Sequence, residues 1–246
     1  MNNSNRHKIS VYGFNGSIDA MQSSMIKIDK IYIEKDSPAA SQKIISELIS
    51  KNKFNYEVLS TVDFSKKINS NRSQGILVEC TVEVLNELPK GKKNDECYVV
   101  LDQVQDPHNL GQILRICASA NIDGVVITEH NSVSMTSAVA QVSQGGFSKI
   151  PLYSVRNINQ CIEFFKSEDF WVTSFENNIK SKNWYEIDLK GRVVLIFGGE
   201  GNGVSQLVLK NSDFLATIPM SNKMNSLNVS SAVSAVVFER LRQLIS

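Results

Sequence analysis

From residue 97 to the C-terminus, short runs of apolar, often β-branched residues alternate with stretches of helical pattern, and nothing else in the chain restricts its fold as much. The runs are CYVVLD (97–102), GVVIT (124–128), KIPLYS (149–154), FWVTSF (170–175), VVLIFG (193–198) and FLATIPM (214–220). Helical periodicity fills 109–120, 134–143, 157–167, 203–210 and 226–245. Near-continuous apolar strands separated by helices predict a parallel sheet covered on both faces. Ligands of such sheets sit at the carboxyl ends of strands. Three polar stretches fall there, 102–115, 198–203 and 219–228, and they are the candidate functional segments.

The first third of the chain repeats the pattern on a smaller scale. KIYIE (30–34), YEVLS (56–60) and GILVEC (75–80) read as strands. SPAASQKIISELISKN (37–52) reads as a helix with Ser37 as N-cap and Pro38 at its first position. The polar stretch NELPKGKKNDE (86–96) combines proline, glycine and clustered charge, which marks a linker. The expected organisation is a small α/β domain over 1–85, a linker over 86–96 and a larger parallel-sheet α/β domain over 97–246. A length of 246 residues accommodates two such units.

Composition narrows the function by exclusion. No apolar run is long enough to span a membrane, and MNNSNRHKIS lacks the apolar core of a secretory signal. A cytoplasmic protein is expected. The 4 cysteines, Cys80, Cys97, Cys117 and Cys161, are widely spaced and the 3 histidines do not cluster, so no metal site is expected and the thiols read as free and buried. A net charge of +1 does not advertise nucleic-acid binding, although a local basic patch can act alone.

The loop FGGEGNG (197–203) raises the first chemical question, because glycine-rich loops cradle phosphates. A phosphate cradle needs backbone N–H groups at a helix N-terminus and little negative charge nearby. Glu200 stands in the middle of this loop. A dinucleotide fingerprint spaces its glycines G-x-G-x-x-G, whereas after Gly199 and Gly201 the third glycine, Gly203, comes one residue early. No lysine follows as in a P-loop, and too little chain remains to complete a Rossmann domain. A nicotinamide-dependent oxidoreductase therefore rests on glycine alone. A tight turn between strand and helix is the plain alternative.

Three segments, in order, carry a resemblance: LDQVQDPHNLGQILRICASA (101–120), VVLIFGGEGNGV (193–204) and IPMSNKMNSLNVSSAVSAVVFE (218–239). They resemble the three motifs of the SpoU/TrmH family, RNA 2'-O-ribose methyltransferases of the SPOUT superfamily that use S-adenosylmethionine. QGGFSKIPL (144–152) is a lesser marker. VYGFNGSIDAM (11–21) and SQGILVEC (73–80) are similar to the RNA-binding domain of the ribosomal-RNA branch, so the resemblance covers nearly the whole chain. There are departures. Phe14-Asn15 stand where the family often has Ile-His, Ser73 where it has His, Gln144 where it has a small residue and Asn222 where glycine is common. The N-terminal changes, at Phe14, Asn15 and Ser73, bear on the RNA target more than on the chemistry.

The resemblance implies a SPOUT fold in which 193–229 forms a deep trefoil knot, a homodimer with the active site near its interface, and 2'-O-methylation of a guanosine in large-subunit (23S) ribosomal RNA. A tRNA target and a non-catalytic RNA-binding module are the alternatives. It places the essential arginine at Arg115, which pattern alone would leave as a solvated helix residue. Arginine holds its proton too tightly to act readily as a base. Arg115 therefore either accepts the ribose proton with phosphate assistance or stabilises the developing alkoxide. Because helical side chains lean toward the N-terminus, it is expected to reach back toward the Asn109 loop.

The resemblance further implies active-site roles for Asn109, Glu200, Ser226 and Asn228. On pattern alone Asn109, Ser226 and Asn228 read as helix caps. Gly198, Ile218 and Leu227 match the positions whose main chain holds the cofactor, and Ser174 is a weaker candidate for the same pocket. His108 is read as a bystander. The last helix, 226–245, is apolar on more than one face, through Leu227, Val229, Ala232, Val233, Val236, Val237, Phe238 and Leu241, which predicts burial; the resemblance implies that it packs in the homodimer.

Overall fold

The computed structural model describes residues 4–177, 181–201, 203–221, 223 and 226–246; Asn222, one of the departures, lies outside the described residues, as does Asn202 of the glycine loop. In chain order the first part contains β1 (Ser4–Tyr12), α1 (Phe14–Gln22), β2 (Ile26–Glu34), α2 (Lys43–Asn52), β3 (Tyr56–Leu59), α3 (Thr61–Lys67) and β4 (Ile76–Leu85). The second contains β5 (Glu96–Asp102), α4 (Pro107–Ser119), β6 (Gly124–Thr128), α5 (Ser137–Ser143), β7 (Leu152–Val155), α6 (Ile158–Ser167) and β8 (Trp171–Phe175). It continues with β9 (Lys182–Asn183), β10 (Arg192–Gly198), α7 (Gln206–Asn211), β11 (Phe214–Thr217) and α8 (Val229–Ile245).

The strands of the second part pair in the order β7-β6-β5-β10-β8-β11-β9, all parallel. Alternation along β5 shows why both faces are covered. Cys97, Val99 and Leu101 pack with Leu110, Ile113 and Leu114 of α4 and Val233 of α8. Tyr98 and Val100 pack on the other face with Ile162 and Phe165 of α6 and Val208 of α7. In the first part β4 lies between β1 and β2, antiparallel to both, and β3 adds parallel to β2. Leu85, at the end of β4, pairs with Tyr153 of β7, so one sheet runs through both parts. The four cysteines are free and buried.

Four expectations are corrected. Ser37 does not cap a helix. Residues 37–42 form turns, because Ala39 is buried with its N–H on the Gln74 carbonyl (3.1 Å), and α2 starts at Lys43. Glu96, read as linker, opens β5 as a buried residue whose Oε1 accepts from the N–H groups of Lys92 and Lys93 (2.6 and 2.5 Å). β7 begins at Leu152, because Gly146–Ser148 form a 3-10 turn against α4. α8 buries one face within the chain, with Val229, Val233, Val236 and Val237 inside, while Phe238 is 43% exposed.

Candidate active site

The site grows from the ends of β5 and β10, which are neighbours in register from Arg192↔Glu96 to Gly198↔Asp102. After Asp102 the chain turns and starts α4. The N-cap is Asp106, whose Oδ1 accepts from the His108 N–H (2.9 Å), with Pro107 at the first helical position. Asn109 is therefore not the cap. It sits in the first turn, buried, facing the loop that follows β10. That loop comes very close to other main chain. A Cβ on Gly198 would lie 2.0 Å from the Gly203 carbonyl carbon, and one on Gly199 would lie 2.2 Å from the Gln103 carbonyl oxygen. Glycine is required at both positions because side-chain adjustment cannot relieve overlap with backbone.

Hydrogen bonds tie the three polar segments together. Asn109 Nδ2 donates to Glu200 Oε1 (2.5 Å), and Asn228 Nδ2 donates to Asn109 Oδ1 (2.9 Å). Asn228 also caps α8 as its pattern predicted, its Oδ1 accepting from the N–H groups of Ser230 and Ser231 (2.9 and 3.4 Å). Ser230 Oγ lies 2.6 Å from both Asn228 Oδ1 and Gln112 Oε1. One hydroxyl proton serves one acceptor, so turning the Gln112 amide over satisfies both contacts, with Gln112 donating to Ser230 and Ser230 donating to Asn228.

Beside this chain lies an open cavity of about 380 Å³. Gly198, Glu200, Ile218, Ser226 and Leu227 all line it, so the three main-chain candidates for the cofactor, Gly198, Ile218 and Leu227, reach one place. Phe175, Phe197 and Met220 supply further apolar wall. Among the described residues its ionisable lining is Glu176 and Glu200, with no cation. Such a wall disfavours a phosphate and suits a ligand that couples an apolar purine nucleoside to a positive centre. S-adenosylmethionine, whose sulfonium is that centre, fits these residues.

Two candidates lie elsewhere. Ser174 faces away from the cavity: its Oγ is 2.7 Å from Ser212 Oγ, on the opposite side of β8 from Phe175, as strand alternation requires. Arg115 does not reach back to Asn109. Six residues at about 3.6 per turn put the two on different sides of α4. Arg115 is exposed and lines a second cavity, of about 590 Å³, with Gln112, Ile116, Val142, Gln144, Tyr12 and Arg72 among its neighbours. The backbone here is pinned by Gly146, where a Cβ would lie 2.7 Å from Arg115 Cα. His108 is exposed, and its backbone N–H makes the only contact described for it, the cap bond to Asp106.

Sequence reasoning missed Glu176, Gln112 and Ser230. Glu176 follows directly on β8, and its Oε2 accepts from the Val204 N–H (2.9 Å). The rule that ligands meet the carboxyl ends of strands could have singled it out. Gln112 precedes Arg115 by three residues, the spacing that shares a helix face, but nothing in the sequence places Ser230 against it.

Comparison with known proteins agrees with this geometry. The SpoU rRNA Methylase family model matches residues 96–238. An uncharacterised tRNA/rRNA methyltransferase of Mycoplasma pneumoniae is 31% identical over 219 residues, covering 85% of this chain and 90% of its own. The 23S rRNA (guanosine-2'-O-)-methyltransferase RlmB of Xylella fastidiosa is 36% identical over 159 residues, 65% of this chain and 64% of that enzyme. Among solved structures, the SpoU methyltransferase AviRb from Streptomyces viridochromogenes, in complex with AdoMet, has a TM-score of 0.83 at 18% identity and covers 97% of this chain and 91% of its own. An AdoMet-bound rRNA methyltransferase from Sinorhizobium meliloti has a TM-score of 0.78 at 24% identity, covering 97% and 88%. Motifs, fold, cavity and relatives converge: the chain belongs to the SpoU rRNA methylase family, as an RNA 2'-O-methyltransferase that uses S-adenosylmethionine.

Proposed function

We propose that the protein methylates the 2'-hydroxyl of a guanosine in 23S ribosomal RNA. The observation that carries the substrate is the 36% identity to RlmB of Xylella fastidiosa, which is named for that reaction. The likeness of the whole chain, first part included, to the Sinorhizobium meliloti rRNA methyltransferase supports it. The test is to map 2'-O-methyl groups in RNA from cells with and without this protein. Loss of one guanosine methylation in 23S rRNA is expected. Unchanged rRNA with a lost tRNA methylation would assign the tRNA reading instead.

Bound S-adenosylmethionine supplies an electrophilic methyl group on a positive sulfur. The chain's own residues do the rest. The main chain at Gly198, Ile218 and Leu227 would hold the adenosyl moiety. Asn109, fixed between Glu200 and Asn228, keeps the loop after β10 and the start of α8 at a set distance, so that cofactor wall and RNA face move as one body. Ser226 borders the cavity. Arg115 meets the 2'-hydroxyl, either taking its proton with phosphate assistance or stabilising the oxyanion. Positioning of the ribose by these residues would supply much of the rate.

Two structural features belong to this reading. The stretch 193–229 forms a trefoil knot, supported by the backbone crowding at Gly198 and Gly199. The enzyme works as a homodimer, supported by the exposed Leu227, Phe238, Leu244 and Ile245 in and beside α8. Light scattering on the purified chain should give twice the 27.4 kDa chain mass; a monomer would remove the dimer from the proposal.

A further inference from the structure

The chain has seven arginines. Five are engaged: Arg6 with Glu83, Arg156 with Glu129, Arg242 with Glu239, Arg192 with the Lys93 and Glu168 carbonyls, and Arg240 with the Gly191 carbonyl. Among the described residues Arg72 and Arg115 have no such partner for their guanidinium groups, and both line the same cavity. Among the described residues no carboxylate lines it. They come from distant parts of the sequence, so the coincidence is made by the fold.

The backbone that presents Arg72 is held from several sides. It lies in a 3-10 turn, Asn71–Ser73, in which Ser70 Oγ accepts from the Arg72 N–H (3.2 Å) and the Ser70 carbonyl from the Ser73 N–H (3.0 Å). Gln74 Oε1 accepts from the Phe14 N–H at the start of α1 (2.8 Å). Gln141 of α5 holds the other wall, exchanging hydrogen bonds with the main chain of Tyr12 (3.3 and 3.2 Å). Gln144 also lines the cavity. Of the departures from the family pattern, Phe14, Asn15 and Gln144 gather around Arg72 in a connected hollow.

Two guanidinium groups facing one cavity without a counter-ion repel each other until an anion enters. The protein's substrate class is a polyanion, and the planar fork of arginine matches phosphate oxygens. Resting on the RNA-methylation reading, we infer that Arg72 is a positioning residue for methyl transfer: with Arg115 it clamps one phosphodiester beside the target ribose. The first part of the chain then contributes a side chain to the active-site face itself, in addition to any surface it offers the RNA elsewhere.

The test uses the full chain and an RNA fragment containing the mapped site. Arg72→Ala should lower the single-turnover rate at saturating cofactor and RNA by about 10–100-fold. S-adenosylmethionine affinity should stay within about 3-fold and melting temperature should stay unchanged, since the side chain is exposed. The slope of log RNA affinity against log salt should fall by about 1. Arg72→Lys should recover RNA affinity and salt slope better than rate, because charge survives and the fork does not. Arg72→Ala with Arg115→Ala should cost less than the product of the single effects, because both grip one phosphate. A wild-type rate for Arg72→Ala, or single effects that multiply without coupling, overturns the inference. If mapping yields a tRNA site, the ribosomal reading falls and these variants are assayed on that tRNA, so the two failures are told apart.

Discussion

The two cavities differ in almost every physical respect. The one beside the loop after β10 is walled by glycine backbone and apolar side chains and carries Glu176 and Glu200. The one beside α4 has glutamine and tyrosine walls and carries Arg72 and Arg115. The first accepts a ligand with a positive centre, the second a polyanion. They are joined by one hydrogen-bonded chain, Glu200–Asn109–Asn228, and through Ser230 to Gln112 on the Arg115 face of α4. The donor of the proposed reaction is cationic at sulfur and its acceptor is an anionic polymer, so the charge in each cavity suits one of the two reactants.

Substitutions can break this comparison at different points. Removing the helix-borne cation of the second cavity should have the largest effect: Arg115→Ala lowers single-turnover methylation by about 10²–10⁴ while cofactor affinity changes only a few-fold. Arg115→Lys should resemble alanine, because lysine keeps the charge and loses the fork. A near-wild-type rate for Arg115→Ala would return this arginine to the role of a solvated helix residue.

Damage to the first cavity should appear in binding. In Gly198→Ala the new methyl meets the Gly203 carbonyl carbon at 2.0 Å. S-adenosylmethionine affinity by calorimetry should drop by about 100-fold or more, with a stability loss of about 1–3 kcal/mol from overpacking. Unchanged affinity would mean that this backbone does not shape the cofactor wall.

The connection between the cavities should be softer. Asn109→Ala leaves Glu200 and Asn228 without their shared partner. A rate loss of about 10-fold and a stability loss of about 1–3 kcal/mol should appear together. A stability loss with full activity would make the connection purely architectural. The smallest effect is expected from Glu176→Gln, which keeps an acceptor for the Val204 N–H and removes the charge. Cofactor affinity should fall by about 5-fold, a difference of about 1 kcal/mol. Tighter binding would show that the acidic wall does not serve the sulfonium.

Much of the site was readable because it is local. Asp102, Gly198 and Glu200 stand at strand ends, and the strands announce themselves by unbroken apolar runs. Asn228 signals a helix start, and the structure makes it the cap of α8. β1 was not anticipated, because its mixed sequence SNRHKISVY carries little apolar weight. It becomes a strand through pairing with β4 and through the Ser137 hydroxyl on the Ser10 N–H (2.8 Å). The misreading of Ser37 has the same origin. A good capping pattern lost to a hydrogen bond from Ala39 to Gln74, a residue far along the chain.

By itself the sequence determined the alternation of strands and helices, the places where polar segments meet strand ends, and the residue types fit for the chemistry, since periodicity and motif spacing are local properties of the chain. Tertiary structure alone decided that Arg115 shares a cavity with Arg72, that Gln112 and Ser230 extend the hydrogen-bonded connection, and that the sheet runs unbroken through Leu85 and Tyr153. These are relations between segments brought together by packing. A side chain's azimuth on a helix can be counted from sequence, but what stands opposite it depends on which element the fold places there.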